Sequence, residues 1–207
     1  MRDFRGVAEL RLACRHRDVG SGQRVAPEDQ RLARQAIALG EPLDPLVLRA
    51  LAPERVETSR RERLFHAVGK SYWDVLRLRR GELDGTPDAV VYPEDADEVM
   101  AVMTLALEHD WAIVPYGGGS SVVGGVEAVA EGAAAVITLD TMLLTGMREL
   151  DEEAHTATFG AGTYGPDLEE ALQARGYTLG HYPQSFEFST LGGWIAARGS
   201  GQQSNRY

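Results

Sequence analysis

One pattern constrains this chain more than any other: two apolar runs bridged by an amphipathic segment, the second emptying into glycines. Ala89-Val90-Val91-Tyr92 reads as a short strand closed by Pro93. The segment from Glu94 to Asp110 opens with Glu94, Asp95, Asp97 and Glu98, where a helix dipole favours acids. Val99, Val102, Met103, Ala106 and Leu107 then fall on one stripe, as helical spacing requires. Ala112-Ile113-Val114 follows almost at once, so strand, helix and strand predict a βαβ unit with parallel strands. The second strand runs into Pro115-Tyr116-Gly117-Gly118-Gly119-Ser120-Ser121, with another glycine pair at Gly124-Gly125. Such a loop presents a row of backbone N–H groups with no side chains in the way, which suits an anion such as a phosphate. Taken alone, it is equally open to the reading of an ordinary glycine-rich turn.

Two common nucleotide loops are excluded by spacing. A P-loop needs Lys followed by Ser or Thr after its last glycine, and here Gly124-Gly125 runs into Val126-Glu127, whose acid repels a triphosphate. A Rossmann fingerprint that starts at Gly117 and Gly119 needs its third glycine at Val122. A second cluster of small residues, Ser189-Thr190-Leu191-Gly192-Gly193, opens a short helix predicted through Trp194 to Ala197 with Thr190 or a neighbour as its cap. Helix N-termini attract phosphate through free N–H groups. Two such sites far apart in sequence predict one long dinucleotide spanning two subdomains.

The rest of the chain divides around residue 84. Residues 1–25 are expected to be a poorly ordered lead-in, followed by helical pieces from Pro27 to Leu39 and from Leu46 to Leu51. A longer helix is predicted from Thr58 to Arg80, with Leu64, Phe65, Val68, Tyr72, Val75 and Leu76 inward and a bend at Gly69. Residues 1–83 are therefore assigned to an N-terminal helical accessory region, and residues 84–207 to the ligand-binding domain. Within the latter, Ala134 to Leu139 is a strand ended by Asp140. Met147 to Leu150 and Thr156 to Gly160 form a hairpin around Asp151-Glu152-Glu153, and a helix from Tyr164 to Arg175 stops at Gly176. The fold class is α+β. The sequence ends straight after a glycine-rich turn with no closing strand, so a C-terminally incomplete domain, a fragment of a longer protein, is expected.

Composition removes other function classes. No run of about 18 apolar residues is present, and Met1-Arg2-Asp3-Phe4-Arg5 is not followed by a signal-peptide core. The single cysteine, Cys14, forms no internal disulfide, and no Cys/His cluster has metal-ligand spacing. A soluble, cytoplasmic protein without a metal is expected. The net charge of -10 divides unevenly, since 17 of the 21 Lys and Arg lie in residues 1–80. Those arginines are interleaved with acids and with few aromatic residues. They read as a solvated helical region docking on the acidic remainder, and no nucleic-acid partner is expected.

The segment from Arg63 to Ser200 resembles alkyldihydroxyacetonephosphate synthases, within the vanillyl-alcohol-oxidase or PCMH-type FAD-binding superfamily. The resemblance rests on Pro87-Asp88-Ala89-Val90, Pro115 to Ser121, Gly180-His181 before Pro183, and above all Ser185-Phe186-Glu187-Phe188-Ser189-Thr190 running into Gly192-Gly193-Trp194. It implies a PCMH-type fold of two α+β subdomains, with FAD as cofactor and partner. In this family Pro115, Tyr116, Gly117, Gly118, Gly119, Ser120 and Ser121 wrap the FAD diphosphate. Many covalent relatives carry histidine where Ser120 stands, so the resemblance implies non-covalent FAD. Gln184, Ser185, Phe186, Glu187, Phe188, Ser189 and Thr190 are expected along the flavin and ribityl chain, with hydrogen bonds from Ser189 and Thr190. Ala197, Arg198, Gly199 and Ser200 match a further FAD-contacting stretch, with Arg198 suited to a phosphate.

His181 has two readings: a turn histidine bonded to backbone, or a catalytic group near the flavin that contacts substrate phosphate or moves a proton. Glu187 either braces its loop or touches the isoalloxazine, Trp194 is expected in the core, and His155 in solvent. The synthase branch exchanges the acyl group of acyl-dihydroxyacetone phosphate for a fatty alcohol in ether-lipid synthesis, without net redox change. An FAD-linked oxidase or dehydrogenase of a 2-hydroxy acid such as lactate or glycolate is the alternative, and a non-catalytic FAD-binding fragment a second one. A small or lipid-like substrate reached through a missing cap domain, a homodimer and a peripheral membrane position follow from the first reading.

Overall fold

The computed structural model describes residues 42–44 and 51–204. The expected lead-in over residues 1–25, the helix from Pro27 to Leu39 and Cys14 lie outside the described residues, and the helix expected at 46–51 reaches them only at Leu51. In chain order the elements are β1 (Val56–Glu57), α1 (Arg60–Phe65), α2 (Tyr72–Arg80), β2 (Ala89–Val91), α3 (Ala96–His109), β3 (Trp111–Tyr116) and β4 (Ala135–Asp140). Then come β5 (Met147–Asp151), β6 (Thr156–Phe159), α4 (Gly165–Gln173) and α5 (Leu191–Ala197).

The first four strands form one sheet in the order β1-β2-β4-β3. Strands β2, β3 and β4 are parallel, as the strand–helix–strand pattern predicts, but β4 sits between β2 and β3 rather than outside them. Its six residues are all buried, because sheet neighbours flank it and both faces are covered. On one face α3 sends Val99, Val102 and Leu105 onto Ala89, Val91, Ile137 and Leu139. On the other, Val114, Tyr116 and Val136 pack with Val126 and Ala128. Strand β3 is at the sheet edge, which is where Pro115 can be accommodated without an orphaned ladder bond.

The stripe drawn for α3 is corrected on one side. Val102 and Ala106 are buried, whereas Met103 and Leu107 face outward, Leu107 at 84% exposure. The helix touches the sheet along a face rotated toward Val99 and Leu105, a choice that periodicity alone does not make. The single helix expected from Thr58 to Arg80 is two, separated at residues 66–71, and Tyr72 is exposed rather than inward. Ser71 restarts the chain as a capping box, its hydroxyl accepting from Asp74 N–H while Asp74 accepts from Ser71 N–H. Gly69 marks a close approach rather than a bend: a Cβ there would overlap the Ser121 carbonyl, and Lys70 N–H donates to the same oxygen at 2.7 Å.

The composition change at residue 84 is not a break in packing. Strand β1 pairs antiparallel with β2, Arg63 donates to the Pro87 carbonyl at 2.7 Å, and Ala128 N–H donates to the Ala67 carbonyl. The hairpin β5–β6 forms as expected. It packs with α4 and α5 around Phe159, Leu168, Leu172, Leu191 and Trp194, so Trp194 is core, as expected. His155, also as expected, is exposed. This second unit meets the first where the parallel strands end: Cβ atoms at Gly160 and Gly162 would strike the Leu144 and Thr141 carbonyls.

Candidate functional site

Residues 117–121 leave β3 at its carboxyl end, the edge of an open parallel sheet where ligands are held. Among the described residues, none of the five backbone N–H groups from Gly117 to Ser121 has a protein acceptor. Four of these five residues are half-buried and Gly119 is buried, so the loop offers a consecutive row of donors without protein partners, of the kind an anion can accept from. Ser121 stiffens the far end, its hydroxyl accepting from Val123 and Gly125 N–H.

Gly117 and Gly118 are there because the second unit lies against them, and Gly119 because Tyr116 lies beneath it. A Cβ on Gly117 would overlap the Thr190 hydroxyl, one on Gly118 the Phe188 carbonyl, and one on Gly119 the Tyr116 hydroxyl. Gly119 also has φ of +63°, a conformation costly for any other residue. The two small-residue clusters, distant in sequence, are thus in direct contact. The Thr190 hydroxyl is fully buried at this junction and has no hydrogen-bond partner, although Thr190 occupies the N-cap position of α5.

The N-terminus of α5 offers fewer free amides than the expected phosphate site would use. Leu191 and Gly192 N–H are committed to the Thr163 and Ala161 carbonyls. The Ser189 hydroxyl is also spoken for: it donates to the Ser185 carbonyl at 2.7 Å and accepts from Trp194 Nε1 at 2.6 Å. Its proton is therefore a brace for the 185–190 turn. Gln184, Glu187 and Phe188 are exposed, Ser185 and Phe186 half-buried. Phe186 stacks near Trp194, with ring centroids 6.0 Å apart. His181 is half-buried with its ring 5.3 Å from that of Trp194. Residues 197–204 fold back beside it, as Tyr182 N–H donates to Ser204 Oγ and Gly201 abuts the Tyr182 carbonyl. Arg198 ends α5 in the left-handed conformation, exposed and, among the described residues, without an ion pair. Ala197 and Ser200 are exposed beside it.

Three residues outside the sequence expectations shape this region. Glu169, buried on α4, accepts from Leu179 and Gly180 N–H through one oxygen and from Thr178 and Gln173 through the other. It fixes the turn that delivers His181. His66 and Asp140, both buried, face each other at 3.0 Å below the glycine loop. A buried Glu on an amphipathic helix was the only one of these signals open to sequence reasoning; the pairing of residues 66 and 140 was not.

Residues 87–207 match the model of a family described as an FAD binding domain. The chain belongs to that family. It is 44% identical over 158 residues to an alkyldihydroxyacetonephosphate synthase of Trypanosoma brucei brucei, covering 76% of this chain and 26% of that protein. A solved alkyldihydroxyacetonephosphate synthase structure superposes with a TM-score of 0.78 at 36% identity, covering 83% of this chain and 34% of that one. A glycolate oxidase subunit of Bacillus subtilis (strain 168) is less similar, 32% identical over 58% of this chain and 25% of its own length. The fold is thus the expected PCMH-type FAD-binding fold and the cofactor is FAD. The residues present fit that cofactor: free amides for a diphosphate, glycines that a Cβ would block, and a buried hydroxyl lacking a partner. The chain spans about a quarter of the length of the curated relatives it matches. Among the described residues, no helix is long and apolar enough to cross a membrane and no cluster of His, Cys, Asp and Glu is arranged to hold a metal ion.

Proposed function

We propose that this chain is the FAD-holding part of an enzyme that exchanges the acyl group of acyl-dihydroxyacetone phosphate for a fatty alcohol, as the synthase branch does. The observation that carries the reading is the row of free amides from Gly117 to Ser121 closed over by Phe188 to Thr190. Gly117 to Ser121 hold the diphosphate, Gln184 to Thr190 line the ribityl chain and ring, and Ala197 to Ser200 close the remaining side. Ser120 stands in place of a histidine tether, so FAD is held without a covalent bond. His181, set by Glu169 and flanked by Trp194, faces the substrate phosphate or moves a proton. The bound flavin supplies a reversible attachment point for substrate carbon with no net redox change. A lipid-like substrate reached through a cap domain, a homodimer and a peripheral membrane position belong to the same reading.

The purified protein is expected to be yellow and to release its flavin on acid precipitation. Flavin retained in the precipitate would refute non-covalent attachment. Incubated with acyl-dihydroxyacetone phosphate and labelled hexadecanol, the complete polypeptide is expected to yield labelled alkyl-dihydroxyacetone phosphate. Bleaching of the flavin by lactate or glycolate, with no exchange of label, would assign it instead to the oxidase class represented by the glycolate oxidase subunit.

A further inference from the structure

The segment from Phe65 to Lys70 supports the glycine loop at both of its ends, a role that none of the FAD-contacting motifs includes. At the near end, the Tyr116 hydroxyl donates to the Phe65 carbonyl, and the His66 ring lies 4.4 Å from the Tyr116 ring, centroid to centroid. Tyr116 in turn underlies Gly119. At the far end, Lys70 N–H donates to the Ser121 carbonyl, with Gly69 pressed against it. Asp140 is the register partner of Tyr116 across β3 and β4, and it joins His66 beneath the loop.

The hydrogen bonds of His66 dictate a proton count. Nδ1 lies 2.8 Å from the Glu62 carbonyl, which only accepts, so Nδ1 carries a hydrogen. Nε2 lies 3.0 Å from Asp140 Oδ2, and the other Asp140 oxygen accepts from Met142 N–H at 2.7 Å. A hydrogen bond between Nε2 and a carboxylate oxygen needs one more proton, shared by the pair. Remove it and one bond must fail. Either Nε2 and the carboxylate face each other as two acceptors, or the ring changes tautomer and Nδ1 meets the Glu62 carbonyl as an acceptor. The groups around the pair reinforce this. Burial pushes the Asp140 carboxyl up and outweighs the opposing pull of His66 and of Met142 N–H, and the Glu62 carboxylate adds a smaller push. Burial also pushes the Tyr92 and Tyr116 hydroxyls up, so both remain neutral, as Tyr92 donates to Glu62. Glu57 acts on Tyr92 and Tyr164 on Tyr116 from further out.

We infer that His66, through its shared proton with Asp140, is a positioning residue that holds the glycine loop in its FAD-receiving form, and that FAD binding weakens as pH rises and this proton leaves. The inference rests on the placement of the FAD diphosphate at Gly117 to Ser121. A carboxyl raised in the folded state favours folding below its ordinary pKa and loses that contribution as pH rises through the folded value, so the expected weakening comes with rising pH.

The test is the dissociation constant of FAD, read by quenching of flavin fluorescence on the purified apoprotein, with circular dichroism confirming the fold of each variant. From the acid to the alkaline end of the range over which each variant stays folded, the unmodified protein is expected to weaken by about tenfold. Asp140→Asn supplies an amide hydrogen to Nε2 without the shared proton, so its affinity at the acid end is expected to be retained and its pH profile to be flat. His66→Phe is expected to bind FAD at least about tenfold more weakly across the range. Identical pH profiles for the unmodified protein and Asp140→Asn, or a flat profile in both, overturn the inference, as does an unaltered constant in His66→Phe. Gly118→Val separates this from the site assignment: if it binds FAD normally, the diphosphate placement itself fails, whereas loss of binding there with neutral His66 and Asp140 variants removes only the inference.

Discussion

Replacing Gly118 by alanine adds one methyl group and tests the whole placement of the cofactor. The added Cβ would overlap the Phe188 carbonyl oxygen and sit 2.8 Å from its carbon and 3.1 Å from Ser189 Cα. These are main-chain atoms, so no rotamer change relieves them. Nor is the 185–190 turn free to retreat, because Ser189 bonds Ser185 and Trp194, and Trp194 is in the core. Overpacking of this kind costs about 1–3 kcal/mol. If the strain falls on the FAD-bound form, the dissociation constant rises roughly 5- to 150-fold. Isothermal titration of apoprotein with FAD measures it, with the thermal midpoint of the apoprotein recorded beside it. Gly193→Ala is the control, since its Cβ would meet nothing nearer than Thr190 Oγ1 at 3.5 Å and it lies within α5. Gly118→Ala with the affinity and midpoint of the unmodified protein would refute the contact between the loop and Phe188 on which the site depends.

Three further outcomes are expected. Thr190→Val removes a buried hydroxyl that has no partner in the apoprotein, so it is expected to raise apoprotein stability by about 1 kcal/mol while weakening FAD, two opposite signs read by denaturation and titration. Glu169→Gln puts an amide NH2 among donors that need acceptors, and is expected to cost about 2–3 kcal/mol in chemical denaturation and to loosen His181. Burial works against the ionised Asp74, but hydrogen bonds from Arg77 and Ser71 outweigh it and hold its carboxyl below the ordinary range. A depressed carboxyl stabilises above its unfolded value and loses that contribution as pH falls through the folded one. The α2 capping box is therefore expected to start losing its contribution near about pH 4, the ordinary aspartate value, and to fail further into acid, a loss that Asp74→Asn should make less steep in acid titrations followed by circular dichroism.

The parallel core and the cradle were legible because they rest on local rules. Acids ahead of Val99 and Val102 open a helix, β-branched runs at 89–91 and 135–140 make buried strands, and glycines after Tyr116 free a row of amides. Excluding the P-loop and Rossmann spacings needed only counting. The strand order was not legible, since Val91 pairs with Leu139 across nearly fifty residues and no spacing dictates that β4 enters between β2 and β3. The break of the expected long helix at 66–71 has the same cause: tertiary contacts to Ser121, Tyr116 and Asp140 outweigh helical propensity there.

By itself, the sequence offered the glycine backbone after β3 as an anion site, with an ordinary turn as the other reading, and excluded the P-loop and Rossmann spacings there. Only the tertiary structure decided why those glycines are required. Gly117 is pressed by the Thr190 hydroxyl and Gly118 by the Phe188 carbonyl, both some seventy residues on, while Gly119 lies over the hydroxyl of nearby Tyr116; a sequence carries no record of which distant atom comes within a Cβ radius. The same holds for the support beneath the loop. A histidine at 66 and an aspartate at 140 are unremarked apart, and become a proton-sharing pair only when β4 carries one under the other.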